Sequence, residues 1–175
     1  QLSKDPEPEF SAKAELPKEL SDAAEYRGDD ERRSVTMIEA LRTVLDQELE
    51  ADEKVSLFGE DIADPKGDVF GVTRGLSTKY SGRVENSPLS ESTIAGVSVG
   101  RALAGGKPVG FIQFADFLPI AFKQIVSEMG SMHWRTDGGW KCPAILMITS
   151  GGYKPGLGPF HASSLEAIAV HTPGV

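Results

Sequence analysis

Residues 84–113 read VENSPLSESTIAGVSVGRALAGGKPVGFIQ. Val84 lies in a short extended run, Pro88 breaks it, and Glu91 stands at the head of a small, almost uncharged stretch, Ser92–Ala104, that reads as a helix. Gly105-Gly106-Lys107-Pro108 then turns the chain into a second extended run, Val109–Gln113. Strand, helix, turn and strand in that order form the repeating unit of a parallel sheet, because parallel neighbours need a long crossover between them.

The same alternation continues on both sides. Upstream, Thr36-Met37-Ile38-Glu39 has capping-box spacing, and Met37, Leu41, Val44, Leu45 and Leu49 predict an amphipathic helix over 37–50. Val55–Phe58 is a short strand that Gly59-Glu60-Asp61 leaves into a loop, and Gly67–Gly71 turns toward a helix around Thr73–Tyr80. Downstream, Pro119 opens a helix running to about Trp134, with Ile125, Val126, Met129 and Met132 facing inward, and Ala144–Thr149 is another strand. A glycine-rich loop, residues 150–162, leads to Ser163-Ser164-Leu165-Glu166, whose spacing repeats the capping box. The expectation is an α/β fold with a parallel sheet covered on both faces, three layers in all. Ligands of such sheets gather beyond the carboxyl ends of the strands, here residues 59–61, 87–91, 114–118 and 150–161.

Composition narrows the function classes. The net charge is −8, and residues 1–34 hold ten acids against six bases, with Pro6, Pro8 and Pro17 among them. That segment reads as an acidic extension or interdomain linker, with helical turns within Ala12–Ala24 only when docked, and the folded domain as residues 35–175. No Lys/Arg cluster is present to grip a phosphate backbone, so nucleic acid is not an expected partner. No stretch approaches the roughly 20 apolar residues that cross a bilayer, so no membrane partner is expected. One cysteine, Cys142, and no signal-peptide pattern fit a cytoplasmic or organelle-matrix setting. The Gln1 start and the stop after Pro173-Gly174 are expected to mark a piece of a longer chain, truncated at its C-terminus.

Three places can carry chemistry. Glu91 is either a first-turn helix carboxylate or a catalytic acid whose apolar surroundings hold its proton. Phe111, Phe114 and Phe117 crowd the end of one strand, with Gln113 and Asp116 between them. They are either core aromatics, with Asp116 capping the next helix, or a face for a planar ring. His161 sits in the glycine-rich loop without metal-ligand spacing nearby, which favours a hydrogen-bonding or acid-base imidazole over zinc, while His133 and His171 read as surface or packing residues. Gly151, Gly152, Gly156 and Gly158 match neither the dinucleotide nor the P-loop spacing. Gly96 and Gly100, four apart in the uncharged helix, would admit a close neighbour.

Taken in order, the chain carries Leu57-Phe58-Gly59-Glu60-Asp61, Gly67-Asp68-Val69-Phe70, Thr73-Arg74-Gly75-Leu76 and Pro88-Leu89-Ser90-Glu91. There follow Ile112-Gln113-Phe114-Ala115-Asp116-Phe117, Gln124-Ile125-Val126 and His171-Thr172-Pro173-Gly174. From about residue 35 to the end, this set resembles the beta subunit of the 2-oxo acid dehydrogenase E1 component, with Ile112–Phe117 nearer the branched-chain type. The resemblance implies the transketolase-like pyrimidine-binding module of an enzyme that decarboxylates a 2-oxo acid with thiamine diphosphate and passes the acyl group to a lipoyl-bearing E2 partner. It matches Glu91 to the glutamate that hydrogen-bonds the aminopyrimidine N1′, and Phe117 to the aromatic that stacks on the pyrimidine, with Phe114 beneath it. Leu89 would be an apolar cofactor contact, and His161 would orient intermediates or assist acyl transfer. The chain reads His161-Ala162-Ser163-Ser164 where the family has His-Ser-Gln-Ser, and its loop Ser150–Pro155 lacks the family's third glycine and arginine arrangement. The diphosphate and magnesium would be bound mainly by an alpha subunit or fused alpha-like domain, with a second beta-like module completing the assembly. Two alternatives share the fold: a noncatalytic structural or regulatory module, and another transketolase-like thiamine diphosphate enzyme such as a 1-deoxyxylulose-phosphate synthase.

Overall fold

A computed structural model describes residues 34–152 and 154–175. Apart from Ser34, the expected acidic extension and its helical turns lie outside the described residues, as does Tyr153.

The elements follow in chain order: α1 Met37–Ala51, β1 Val55–Gly59, α2 Leu76–Lys79, β2 Val84–Asn86, α3 Glu91–Leu103, β3 Lys107–Ile112, α4 Leu118–Lys123, α5 Met132–Arg135, β4 Ile145–Ile148 and α6 Glu166–Val170. A π-helical segment, Gln124–Gly130, joins α4 toward α5. The strands form one sheet in the order β2-β1-β3-β4, every pair parallel. Leu57 pairs with Val84 on one side and Val109 on the other, and Val109 with Ile145. The connection reverses direction between β1 and β3, so a crevice opens beyond their carboxyl ends, where open α/β sheets bind ligands.

The two sheet faces follow from the period of two along the strands. Val55, Leu57, Val109 and Phe111 point to one face and pack with Leu45 and Leu49 of α1 and with Leu76 and Tyr80. Ile112 and the half-buried Phe58, Leu146 and Ile148 point to the other, against Ile94 and Ala95 of α3 and Leu118, Ala121 and Ile125. Helices on both sides make the three layers.

The capping box forms: Glu39 N–H donates to Thr36 Oγ1 at 3.2 Å, and Thr36 N–H donates to Glu39 Oε2 at 2.9 Å. The buried stripe of α1 is not the one expected, however. Ile38, Leu41, Leu45 and Leu49 face the sheet, whereas Met37 and Val44 are 77% and 54% exposed. A helix advances about 100° per residue, which carries Met37 and Val44 off the arc centred between Ile38 and Leu45. Arg42 lies on the same side and donates to the Gly71 and Val72 carbonyls.

Three further expectations change. The helix around Thr73–Tyr80 is one turn, because Gly75 starts it from a left-handed backbone and the Asp64 carboxylate caps it by accepting Gly75 N–H at 2.6 Å and Thr78 N–H at 3.0 Å. The long helix after Pro119 widens into its π segment where Gly130 abuts the chain's last turn, a Cβ at Gly130 falling 2.7 Å from the Pro173 carbonyl oxygen. Gly96 lies against the Gln124 side chain, but Gly100 is exposed and has no described atom within 4 Å of where a Cβ would stand.

The glycine that matters for close packing is Gly110, in β3. A Cβ there would stand 2.6 Å from Ser98 Oγ and 2.8 Å from Leu146 Cδ2, so its absence sets how near α3 approaches the sheet. Gly110→Ala is expected to destabilise by about 1–3 kcal/mol through overpacking. Chemical denaturation checks this, and an unchanged midpoint would mean that α3 can retreat without loss.

Candidate active site

The carboxyl ends of β1, β2, β3 and β4 bring the separated motifs to one edge. β1 ends at Gly59, and Glu60 follows at once, 3% exposed, with Oε1 buried and lacking a hydrogen bond. Its position is set from β3: the Gln113 side chain donates to the Glu60 carbonyl through Nε2 and accepts Val69 N–H through Oε1. Burial pushes the Glu60 carboxyl up to about 7, the negative charges of Glu91 and Asp61 add to the rise, and a backbone hydrogen bond from Gln113 opposes it.

Glu91 is the first residue of α3, half-buried beside Glu60. Ser90 precedes it as N-cap but spends its hydroxyl on Thr93 Oγ1 at 2.8 Å, leaving the helix start without a side-chain cap. The next residue, Ser92, donates to the Ile120 carbonyl at 2.5 Å and ties this first turn to α4. The apolar burial expected around Glu91 therefore falls on Glu60, because Glu60 leaves a strand enclosed by both layers whereas Glu91 leaves a loop at the rim. Leu89 in that loop is 82% exposed.

After β3, Phe114 is buried and Phe117 half-buried, their rings edge to face at 6.4 Å and 77°. His161 stands edge-on to both, 4.8 Å from Phe114 and 5.8 Å from Phe117 between ring centres, and Phe70 meets Phe114 at 6.2 Å. The structure thus groups Phe114, Phe117 and His161 in one aromatic cluster and Glu91 with Glu60 in another pair. No hydrogen bond joins Glu91 to His161.

Asp116 does not cap the helix that follows it. Its Oδ2 accepts Ser163 N–H at 3.3 Å, from the loop that carries His161. The capping box expected at Ser163–Glu166 does not form, since α6 begins after Leu165 without a side-chain cap and the Glu166 carboxylate accepts the Ser150 hydroxyl at 2.9 Å instead. Sequence reasoning passed over Glu60 as a site residue and treated Asp116 as local. A charged residue directly after the central strand Val55–Gly59 is the signal that could have found the first; nothing in the sequence marks a contact 47 positions away.

Chemically, the same sheet edge carries two carboxyls, one of them buried and holding its proton to about neutral pH, an aromatic cluster and an uncovered leucine. Among the described residues no three His, Cys, Asp or Glu side chains gather to hold a metal ion, and no helix is long and apolar enough to cross a membrane.

A family model described as the transketolase pyrimidine-binding domain matches residues 33–175. The 2-oxoisovalerate dehydrogenase beta subunit of Bacillus subtilis is 38% identical over 142 residues, 81% of this chain and 43% of the relative. The 3-methyl-2-oxobutanoate dehydrogenase beta subunit of Mycobacterium tuberculosis is 41% identical over 145 residues, covering 82% and 41%. The pyruvate dehydrogenase E1 beta subunit of Leifsonia xyli is 38% identical over 144 residues, covering 82% and 42%. The chain thus spans about two fifths of the length of these relatives. A solved structure titled as a split-gene transketolase, inactive beta4 tetramer, superposes with a TM-score of 0.52 at 18% identity, covering 67% of this chain and 34% of that one, which bears on the fold alone.

Proposed function

Because the chain belongs to the transketolase pyrimidine-binding domain family, we propose that it supplies the pyrimidine half of a thiamine diphosphate site in the E1 component of a 2-oxo acid dehydrogenase. The observation that carries this reading is the Glu60–Glu91 carboxyl pair at the β1/β3 crevice.

The residues present fit an aminopyrimidine. Glu91 offers a carboxyl at a helix start for the ring nitrogen N1′, Phe117 a partly open aromatic surface, and Leu89 an apolar side chain that nothing yet covers. When bound, the cofactor supplies the electron sink that lets a 2-oxo acid lose carbon dioxide without a protein nucleophile. The chain's own task is to hold and exchange a proton at N1′. Glu91 makes that hydrogen bond, and Glu60, poised near neutral pH beside it, keeps a second exchangeable proton in a place that water does not reach. His161, whose ring stands nearly perpendicular to that of Phe117, orients the acyl group for transfer to the lipoyl arm.

The diphosphate and magnesium fall to an alpha subunit or fused alpha-like domain, and a second beta-like module and a lipoyl-bearing E2 complete the assembly, in the cytoplasm or an organelle matrix. On this reading residues 1–34 are an acidic extension or an interdomain linker. Leu89, Ile120 and Phe122, at 82%, 54% and 42% exposed, are apolar surface for such neighbours. The test is decarboxylation of 3-methyl-2-oxobutanoate and pyruvate by the assembled complex. Turnover that requires both thiamine diphosphate and magnesium and favours the branched substrate is expected. A correctly assembled complex inert toward every 2-oxo acid would favour the noncatalytic module.

A further inference from the structure

The loop bearing His161 is clamped at its base. Ala115 N–H donates to the Thr149 carbonyl at 2.8 Å, Gly151 N–H to the Ser163 carbonyl at 3.1 Å, and Ser163 N–H to Asp116 Oδ2 at 3.3 Å. The span between Gly151 and Ser163 therefore closes on itself, with His161 two residues before the closing point. Within this clamp Asp116 supplies a side-chain hydrogen bond from the β3 end, and it lies in sequence between the two phenylalanines whose rings meet His161.

We propose that Asp116 is a positioning residue: by holding Ser163 it sets the place of His161 on the Phe114–Phe117 edges. The loop's other ties at its base, Gly151 N–H on the Ser163 carbonyl and the Ser150 hydroxyl on Glu166, run within the segment that follows β4 and do not reach β3. His161 itself is exposed, makes no hydrogen bond among the described residues, and is followed by Ala162, which has no polar side-chain group to anchor it. A ring packed edge-on can slide by an ångström at small cost, whereas a hydrogen bond to a carboxylate is directional and stronger than a neutral one. The Ser163 hydroxyl first, and then the nearby Ser163, Asp116 and Ala162 amides, hold the Asp116 carboxyl below the usual carboxylate range, so it keeps its charge. Asp116 touches neither substrate nor cofactor in this account; it acts through His161.

The functional half of the inference rests on the acyl-transfer role proposed for His161, and the experiment separates the two. Hydrogen exchange on the assembled complex should show peptides from 150–166 exchanging about tenfold faster in Asp116→Ala, with β1 and β3 peptides unchanged. Asp116→Asn, whose amide oxygen can still accept Ser163 N–H, should stay within about threefold of wild type. Acyl transfer to an isolated lipoyl domain should fall about tenfold in Asp116→Ala, and Asp116→Ala with His161→Ala should be no slower than His161→Ala alone, because both lose the same placed ring. Unchanged loop exchange would overturn the clamp. Faster exchange throughout the sheet would make Asp116 a folding residue, and multiplicative losses in the double variant would make its effect independent of His161. If His161→Ala transfers acyl groups as fast as wild type, the role given to His161 fails, and loop exchange alone then decides whether Asp116 positions it.

Discussion

Glu91→Gln in the assembled complex is expected to lower 2-oxo acid decarboxylation by about 10²–10⁴-fold, the range over which a positioned acid or base acts. The substitution keeps size and shape, so α3 and the ties of its first turn through Ser92 should remain. What it removes is the exchangeable proton: an amide can donate or accept a hydrogen bond at N1′ but cannot pass a proton back and forth. Thiamine diphosphate affinity should therefore change much less than turnover, and the loss should appear in kcat rather than KM. Calorimetric cofactor titration beside steady-state kinetics, with assembly verified by size, makes the comparison. Equal turnover by Glu91→Gln and wild type would reduce Glu91 to a helix-start carboxylate.

The second large effect concerns stability and follows from Glu60. Its carboxyl in the folded chain is raised from the ordinary glutamate value of 4.5 to about 7, chiefly by burial. Between those values the folded state binds more protons than the unfolded state, so stability falls as pH rises through the window and levels off above it. Below about 4.5 the group is protonated in both states and contributes no pH dependence. The full shift corresponds to at most about 3 kcal/mol. Glu60→Gln cannot ionise, so the stability difference between wild type and variant should move by up to that amount between pH 4.5 and 8, whatever the fixed cost of burying an amide. Denaturant unfolding at several pH values reads the slope directly. Parallel curves for the two proteins would mean that water or a neighbouring group relieves the buried carboxyl.

Both effects arise at a place the residues partly announce. Glu91 after Pro88 and before a small-residue helix, and the Phe114–Phe117 pair after an apolar strand, can be found by pattern, because strand and helix periods are local and the carboxyl ends of parallel strands are where ligands collect. The stripe that the sequence predicts for α1 takes in Met37 and Val44 and leaves out Ile38, because composition shows which residues are apolar but not which arc of the helix the sheet covers.

Local chemistry was thus enough for the order of strands and helices, their parallel pairing, and the sheet edge at residues 59–61, 87–91 and 114–118, since strand and helix periods are legible within a few residues and alternating strands and helices imply parallel neighbours. Other properties depended on which distant groups come to share a space. Glu60 is buried because β1 is flanked by β2 and β3 and covered from both faces, and Asp116 pairs with Ser163 rather than with its own helix because the ends of β3 and β4 lie side by side. Burial and long-range partners set the free energy of a charge, and neither can be computed from neighbours in sequence until the chain has closed around them.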